Sequence, residues 1–419
     1  MDCDTKGMSL MLNDRPVPPD RGKNMDENCT NNNCRTRPQD RHDDNSIQRR
    51  LRINEASSSE KKKKMCKTHL DDVNNKDEEG DDGDFAGFYL VLNYGWVSLC
   101  GRRRAMEDAV TIVPGLVKFS SSNSSSDLSK PNYINVCDYF GVYDGHGGSA
   151  VAHVCRDRLH QVIAEEIEIE IETETRNADE GTGGEDYLDW EKVMVRGFGR
   201  VDEEVREMGV EVESMNSIGS TVVVALVSHE RVVVANCGDS RAVMSRAGAA
   251  VALSHDHKPD RPDEMERVEA AGGRVVDWYG YRILGVLATS RSIGDQHLKP
   301  YVISVPEVIV KERTEEDEFL ILASDGMWDV MSNEAACKMV RKCLECARLR
   351  DNEHRISTKD DAAESSGGSS CSCSCCTSRS ESAPAEAAAM LAELALARGS
   401  KDNITIVVVD LNITGLDGL

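Results

Sequence analysis

The stretch Phe140-Gly141-Val142-Tyr143-Asp144-Gly145-His146-Gly147-Gly148 constrains this chain more than any other. An apolar strand runs straight into a carboxylate, and the next four residues are three glycines and one histidine. Asp144 and His146 are therefore expected on a turn with little side-chain bulk, where a metal ion or a phosphate can approach the backbone. One aspartate at a turn usually does no more than bond its own backbone. Here Asp239, Asp325 and Asp402 also stand at the ends of apolar strands or beside Gly and Asn turns, and Glu107-Asp108 comes after an arginine turn. Repetition at the mouths of buried strands suits hard cations such as Mg2+ and Mn2+, which take oxygen ligands; a bridged pair needs about three or four carboxylates.

The 419 residues carry a net charge of −24, with 39% hydrophobic and only 5% aromatic side chains, so the core must be concentrated in part of the chain. That charge excludes nonspecific binding of nucleic acid or a membrane surface by the body of the protein. Met1-Asp2-Cys3-Asp4 leads into polar sequence without the apolar run of a signal peptide, and no apolar run is long enough to span a bilayer. A soluble, intracellular protein is expected. The 15 cysteines, an odd number scattered along the chain, fit reduced thiols better than a disulfide framework.

Residues 1–84 have no sustained period of 2 or 3.6 and read as a disordered charged arm, closed by an acidic run over 77–84. Its basic clusters, Arg49-Arg50-Leu51-Arg52 and Lys61-Lys62-Lys63-Lys64, are candidates for nuclear import, giving an expected location in nucleus and cytoplasm. Residues 85–413 read as one folded domain, with a short tail at 414–419. Strands are expected at 94–100, 108–113, 138–143, 220–227, 231–236, 242–245, 318–323 and 403–411, and helices at 149–171, 189–207, 262–271, 333–348 and 386–397. A Ser-rich loop falls at 120–129, and an acidic Glu/Ile stretch with the glycines of 181–184 suggests a solvated insertion. Residues 351–383 read as a low-complexity surface insertion containing Cys371-Ser372-Cys373-Ser374-Cys375-Cys376, a metal-binding tract only if a second cluster joins it.

Six blocks occur in a fixed order: Arg103-x-x-Met106-Glu107-Asp108, Asp144-Gly145-His146-Gly147-Gly148, Asn236-Cys237-Gly238-Asp239-Ser240-Arg241, Ser290-Arg291-Ser292-Ile293-Gly294-Asp295, Ser324-Asp325-Gly326-Met327-Trp328-Asp329 and Asp402-Asn403-Ile404-Thr405. Together they resemble the metal-dependent type 2C (PPM) protein serine/threonine phosphatases over roughly residues 94–411. Gly101-Arg102-Arg103-Arg104-Ala105-Met106-Glu107-Asp108 and a Trp-bearing flap, Gly272 to Gly280, look most like the plant abscisic-acid co-receptors of clade A. The resemblance implies an α+β fold, a layered α-β-β-α sandwich of two antiparallel sheets flanked by helices, with a binuclear metal centre at one edge; periodicity alone gives only alternating strands and helices.

By the same resemblance Asp144 bridges two Mg2+ or Mn2+ ions, Gly145 lends its carbonyl to one, and Asp325 and Asp402 complete the pair. Glu107 and Asp108 match positions holding metal-bound water, and Asp239 and Asp329 match those of a third, weaker ion. Arg103, with Arg102 and Arg104 as adjacent alternatives, falls where the family binds phosphate, and His146 is the candidate to protonate the departing Ser or Thr oxygen. Water would attack phosphorus directly, with no phosphoenzyme. Trp278 matches the ring that enters the closed receptor gate, and Gly147 a glycine at the receptor-facing edge, although Tyr279 and Tyr281 depart from the usual Trp-Asn-Gly-Ala-Arg pattern. The implied protein is a monomer that dephosphorylates protein kinases, restrains abscisic-acid and stress signalling, and is inhibited by hormone-bound receptors. A noncatalytic docking module is the alternative; the presence of Asp144, Asp325 and Asp402 argues against it. A cysteine-dependent phosphatase has only the bare Cys-x5-Arg spacings of Cys29 to Arg35 and Cys373 to Arg379, without a preceding strand or loop glycines, and no nucleotide-binding glycine pattern occurs.

Overall fold

Alternate residues of the apolar runs face different cores, so strands that look uniformly apolar keep a period of two in three dimensions. The structure, a computed structural model, describes residues 92–120, 134–179, 188–360 and 382–412. Strands β1 (Asn93–Leu99), β2 (Ala109–Ser120) and β3 (Ile134–His146) lead into helices α1 (Ala150–Asp179) and α2 (Trp190–Glu211). A meander comes next: β4 (Gly219–Val227), β5 (Arg231–Cys237), β6 (Arg241–Arg246) and β7 (Ala249–Ala252). Helix α3 (Pro262–Ala270) precedes the hairpin β8 (Val275–Asp277) and β9 (Tyr281–Ile283), then β10 (Ile293–Gly294) and β11 (Glu307–Glu312). The chain closes with β12 (Asp317–Ala323), the single turn α4 (Asp325–Trp328), α5 (Asn333–Asp360), α6 (Ala383–Ala397) and β13 (Ile404–Asp410).

Two antiparallel sheets result, ordered β1-β13-β12-β6-β7 and β11-β5-β4-β3-β2, with β10 added to β4. Phe140, Val142, Val223, Ala225, Val232, Val234, Leu320, Leu322, Val407 and Val409 meet between the sheets. The opposite faces pack outward: Tyr139, Tyr143, Val222 and Val224 against α1 and α2, and Ile321, Ala323, Ile406 and Val408 against α5 and α6. The expected α-β-β-α layering is therefore the observed one, and a small fourth core of Val268, Ile283, Leu298 and Val302 supports the hairpin β8–β9.

Several elements run further than periodicity indicated, among them β2, which continues past Val113 to Ser120, and the second helix, which reaches Glu211. β3 continues through Asp144 to His146, because Thr221, Ser220 and Gly219 of β4 keep pairing with it; the turn begins at Gly147. α1 continues through the acidic Glu/Ile stretch to Asp179, which corrects the reading of that stretch as a solvated insertion. Glu166 and Glu170 are buried there, Glu170 against Lys192 (2.6 Å) and Arg196 (3.3 Å) and Glu166 against Arg200 (2.7 Å) of α2, so the acidic face is the seam between two helices. α5 extends to Asp360, into the insertion expected to begin at 351. The arm with its basic clusters, both Cys-x5-Arg spacings, most of the Ser-rich loop, Gly181–Gly184, the Cys371–Cys376 tract and the tail lie outside the described residues.

Candidate active site

The sheet registers bring the six blocks to one end of the sandwich. Ala109 lies opposite Tyr143, and Asp144 opposite Thr221, so Glu107-Asp108 and Asp144 share an end of one sheet. Ala323 pairs with both Ile406 and Arg241, placing Asp325, Asp402 and the Gly238-Asp239 turn at the corresponding end of the other. Ser324 joins the sheets: its hydroxyl donates to Asp108 Oδ2 (3.0 Å) and accepts from the Thr405 N–H (3.1 Å). Asn403 staples the arginine turn in place, its amide donating to the Cys100 and Ala105 carbonyls (2.9 and 3.0 Å) and its oxygen accepting from the Glu107 N–H (2.8 Å). Gly145 lies so close to the Glu107 carbonyl that a Cβ would stand 2.4 Å from that oxygen.

Like charges crowd this end. Burial, and then Asp108, Asp325, Asp239 and Asp402 in turn, push the Asp144 carboxyl well above the usual carboxylate range. Asp325 is raised by burial and by Asp239 and Asp329, with Lys258 opposing, and Asp329 is raised by burial against the same lysine. Burial lifts Asp108 to about 6 despite hydrogen bonds with Thr405, Ser324 and Asp144, and Asp108 Oδ1 is buried without a partner. A site that is all oxygen donors, self-repelling and holding an orphaned carboxylate oxygen fits hard divalent cations. As placed, no three His, Cys, Asp or Glu side chains among the described residues close on a single point.

Of the three adjacent arginines, Arg103 faces the cluster. Its Nη2 donates to Asp402 Oδ2 at 2.5 Å, whereas Arg102 bonds the Leu396 carbonyl. Burial works against the Arg103 charge, but Asp402, Glu107 and Asp144 outweigh it and raise its pKa. His146 Nε2 lies 2.6 Å from Asp295 Oδ2, which also accepts from Ser292 Oγ (2.6 Å). Burial opposes the imidazolium, yet Asp295, Asp239 and Glu107 together raise the His146 pKa, while His146 and Ser292 lower that of Asp295 against burial. Asp295, Asn403 and Ser324 had no role in the sequence reading, although each sits inside one of the six blocks.

Trp278 lies at the tip of the β8–β9 hairpin, whereas Gly147 directly follows His146. Trp278 is 66% exposed and Tyr279 99% at the tip of the β8–β9 hairpin, with Val276 and Tyr281 also exposed, so the indole is not folded over its own hairpin as a core residue. Gly147 is exposed with φ +72°, and a Cβ there would meet the Ser217 carbonyl at 2.6 Å.

A layered sandwich with an acidic cluster, an arginine and a carboxylate-held histidine at one edge has the chemistry suited to phosphoryl-group hydrolysis. The family model for protein phosphatase 2C matches residues 92–404, and the chain belongs to that family. It is similar to probable protein phosphatase 2C 8 of Oryza sativa subsp. japonica, 50% identical over 323 residues that cover 76% of this chain and 74% of the relative. Protein phosphatase 2C 3 of Arabidopsis thaliana is 45% identical over 77% of this chain and 72% of its own length. The solved serine-threonine phosphatase 2C from Toxoplasma gondii shares the fold with a TM-score of 0.55 at 23% identity, covering 77% of this chain and 96% of that one. The chain is thus a protein serine/threonine phosphatase of a family that depends on Mg2+ or Mn2+, and its substrates are phosphoproteins. Among the described residues no helix is long and apolar enough to cross a membrane.

Proposed function

We propose that the acidic cluster is the centre at which this phosphatase hydrolyses phosphoserine and phosphothreonine, and that it restrains abscisic-acid and stress signalling by dephosphorylating protein kinases in nucleus and cytoplasm. The observation that carries the catalytic reading is the gathering of Asp144, Asp108, Asp325 and Asp402 at one end of the sandwich, with Arg103 bonded to Asp402 and His146 to Asp295. In this reading Asp144, the Gly145 carbonyl, Asp325 and Asp402 would hold two ions, Glu107 and Asp108 would hold water, and Asp239 and Asp329 would serve a third, weaker ion. The ions supply charge neutralisation at the phosphoryl oxygens and lower the pKa of water enough to act near neutral pH.

The chain's own residues do the rest. Arg103 exchanges Asp402 for phosphoryl oxygens, to which its planar fork is suited. Water adds to phosphorus and gives up one proton to solvent, the bond from phosphorus to the Ser or Thr oxygen breaks, and that oxygen takes a proton from His146, which solvent then restores; free phosphate leaves and no phosphoenzyme forms. Because Nε2 is engaged with Asp295, the proton comes from Nδ1. The test is hydrolysis of a phosphothreonine peptide by the full chain with and without Mn2+, with Asp144→Asn beside it. Asp144→Asn is expected to stay folded and lose nearly all turnover; retention of more than about a tenth would overturn the assignment.

The hormone reading is supported by the exposed Trp278 tip, an amphipathic ring free to enter a partner. Hormone together with its receptor should inhibit the monomeric phosphatase, and unchanged activity across a receptor titration would reject it.

A further inference from the structure

We propose that Lys258 is a built-in cation of the carboxylate cluster, so that a divalent ion settles on the Asp239 side only by displacing its ammonium. The inference rests on the metal-dependent reading above. Lys258 Nζ lies 2.5 Å from Asp239 Oδ2, with the aspartate side chain 7% exposed and the lysine 35%. No lysine or arginine makes a comparable contact with Asp144, Asp108 or Asp325 among the described residues.

The position of Lys258 is fixed by its neighbour. His257 is fully buried; its backbone N–H donates to the Gly238 carbonyl (3.0 Å), and the Gly238 N–H donates to its Nδ1 (3.0 Å). The Thr289 and Ser290 hydroxyls both donate to the His257 carbonyl at 3.1 Å. The loop carrying Lys258 is therefore laced to the turn carrying Asp239, so the backbone keeps the ammonium within reach of that carboxylate. Arg103 on the opposite side differs: its side chain is 54% exposed and free to leave Asp402 for phosphate. The cluster thus carries a cation at each of two carboxylates, an exposed arginine on Asp402 and a less exposed lysine on Asp239, and leaves Asp144, Asp108 and Asp325 without an ion pair among the described residues.

Mn2+ binding to the full chain, monitored by the electron paramagnetic resonance signal of free Mn2+, tests this without an activity readout. Wild type should show a tight and a weaker class. Lys258→Met should tighten the weaker class about tenfold or more and leave the tight class unchanged, because an ion no longer competes with a fixed charge. Lys258→Arg should keep the weaker class weak. Superimposable isotherms for wild type and a folded Lys258→Met would overturn the proposal, whereas a wild-type chain that binds no Mn2+ would sink the metal-centre reading itself. If Lys258→Met does not fold, acetylation footprinting of wild type by mass spectrometry decides. The rate at Lys258 should rise severalfold as Mn2+ enters the weaker range, and a rate indifferent to Mn2+ would reject displacement.

Discussion

His146 keeps its place because residue 219 has no side chain. A Cβ on Gly219 would stand 2.0 Å from Asp295 Oδ2 and 2.4 Å from His146 Nε2, so the β4 strand opposite His146 leaves room for the pair to form. Asp295 itself sits at φ +49°, and its N–H donates to the Ile218 carbonyl (3.0 Å), so a strained backbone aims this one carboxylate. His146→Ala should therefore slow alkyl phosphates much more than aryl phosphates, since a phenolate leaves without an acid. Leaving-group dependence of kcat checks this; equal slowing of both classes would remove His146 from proton donation. Asp144 and His146 were both singled out in the sequence, because Asp239, Asp325 and Asp402 repeat the pattern of a carboxylate at the end of an apolar strand or beside a Gly or Asn turn. Asp295 was not, since its partner is 149 residues away and nothing local marks the pairing.

At the scale of elements, α3 and the flap hairpin are tied to the catalytic end by a buried acid. Glu264 accepts from Arg291 (2.6 Å), Arg267 (2.8 Å) and Ser290 (2.6 Å), which hold its carboxyl down to about 2 from 4.5 although burial alone would raise it. For a lowered carboxyl the stabilisation is complete above the unfolded value and is lost as pH falls through the folded one. Wild-type stability should fall by on the order of 3 kcal/mol between about pH 4.5 and pH 2 on this account. Glu264→Gln should be less stable at neutral pH and flatter across that window, measured by denaturant unfolding; parallel curves would remove Glu264 from acid unfolding. The hairpin tip beyond this anchor is free of the core, so Trp278→Ala should leave peptide hydrolysis nearly unchanged. It should raise the receptor concentration needed for inhibition about thirtyfold, as expected for a central interface indole worth about 2 kcal/mol. Unaltered inhibition of a folded, active variant would sink the co-receptor role of this ring. Gly147 is a poorer probe, because any side chain there strikes the Ser217 carbonyl beside the catalytic strand.

Among the described residues, both main sheets, all six helices and the four cores are assembled from residues at or beyond 92. A chain lacking residues 1–84 should therefore dephosphorylate a phosphothreonine peptide at near full rate; a soluble, folded but inactive product would contradict that boundary. The sequence by itself determined eight of the strands, five of the helices and the order of the acidic blocks, because each depends on residues within one local period, whereas β7 to β11 were not read from it. It misread the Glu/Ile stretch, where burial is decided by Lys192, Arg196 and Arg200 on another helix and not by local polarity. It also left open which of three arginines serves the site. Arg103 is the one that reaches Asp402, because Asn403 pins the turn from 298 and 303 residues further along the chain. Only the tertiary structure could place Lys258 on Asp239 or Ser324 between the sheets, because long-range electrostatics and hydrogen bonds act through space and leave no period in the sequence.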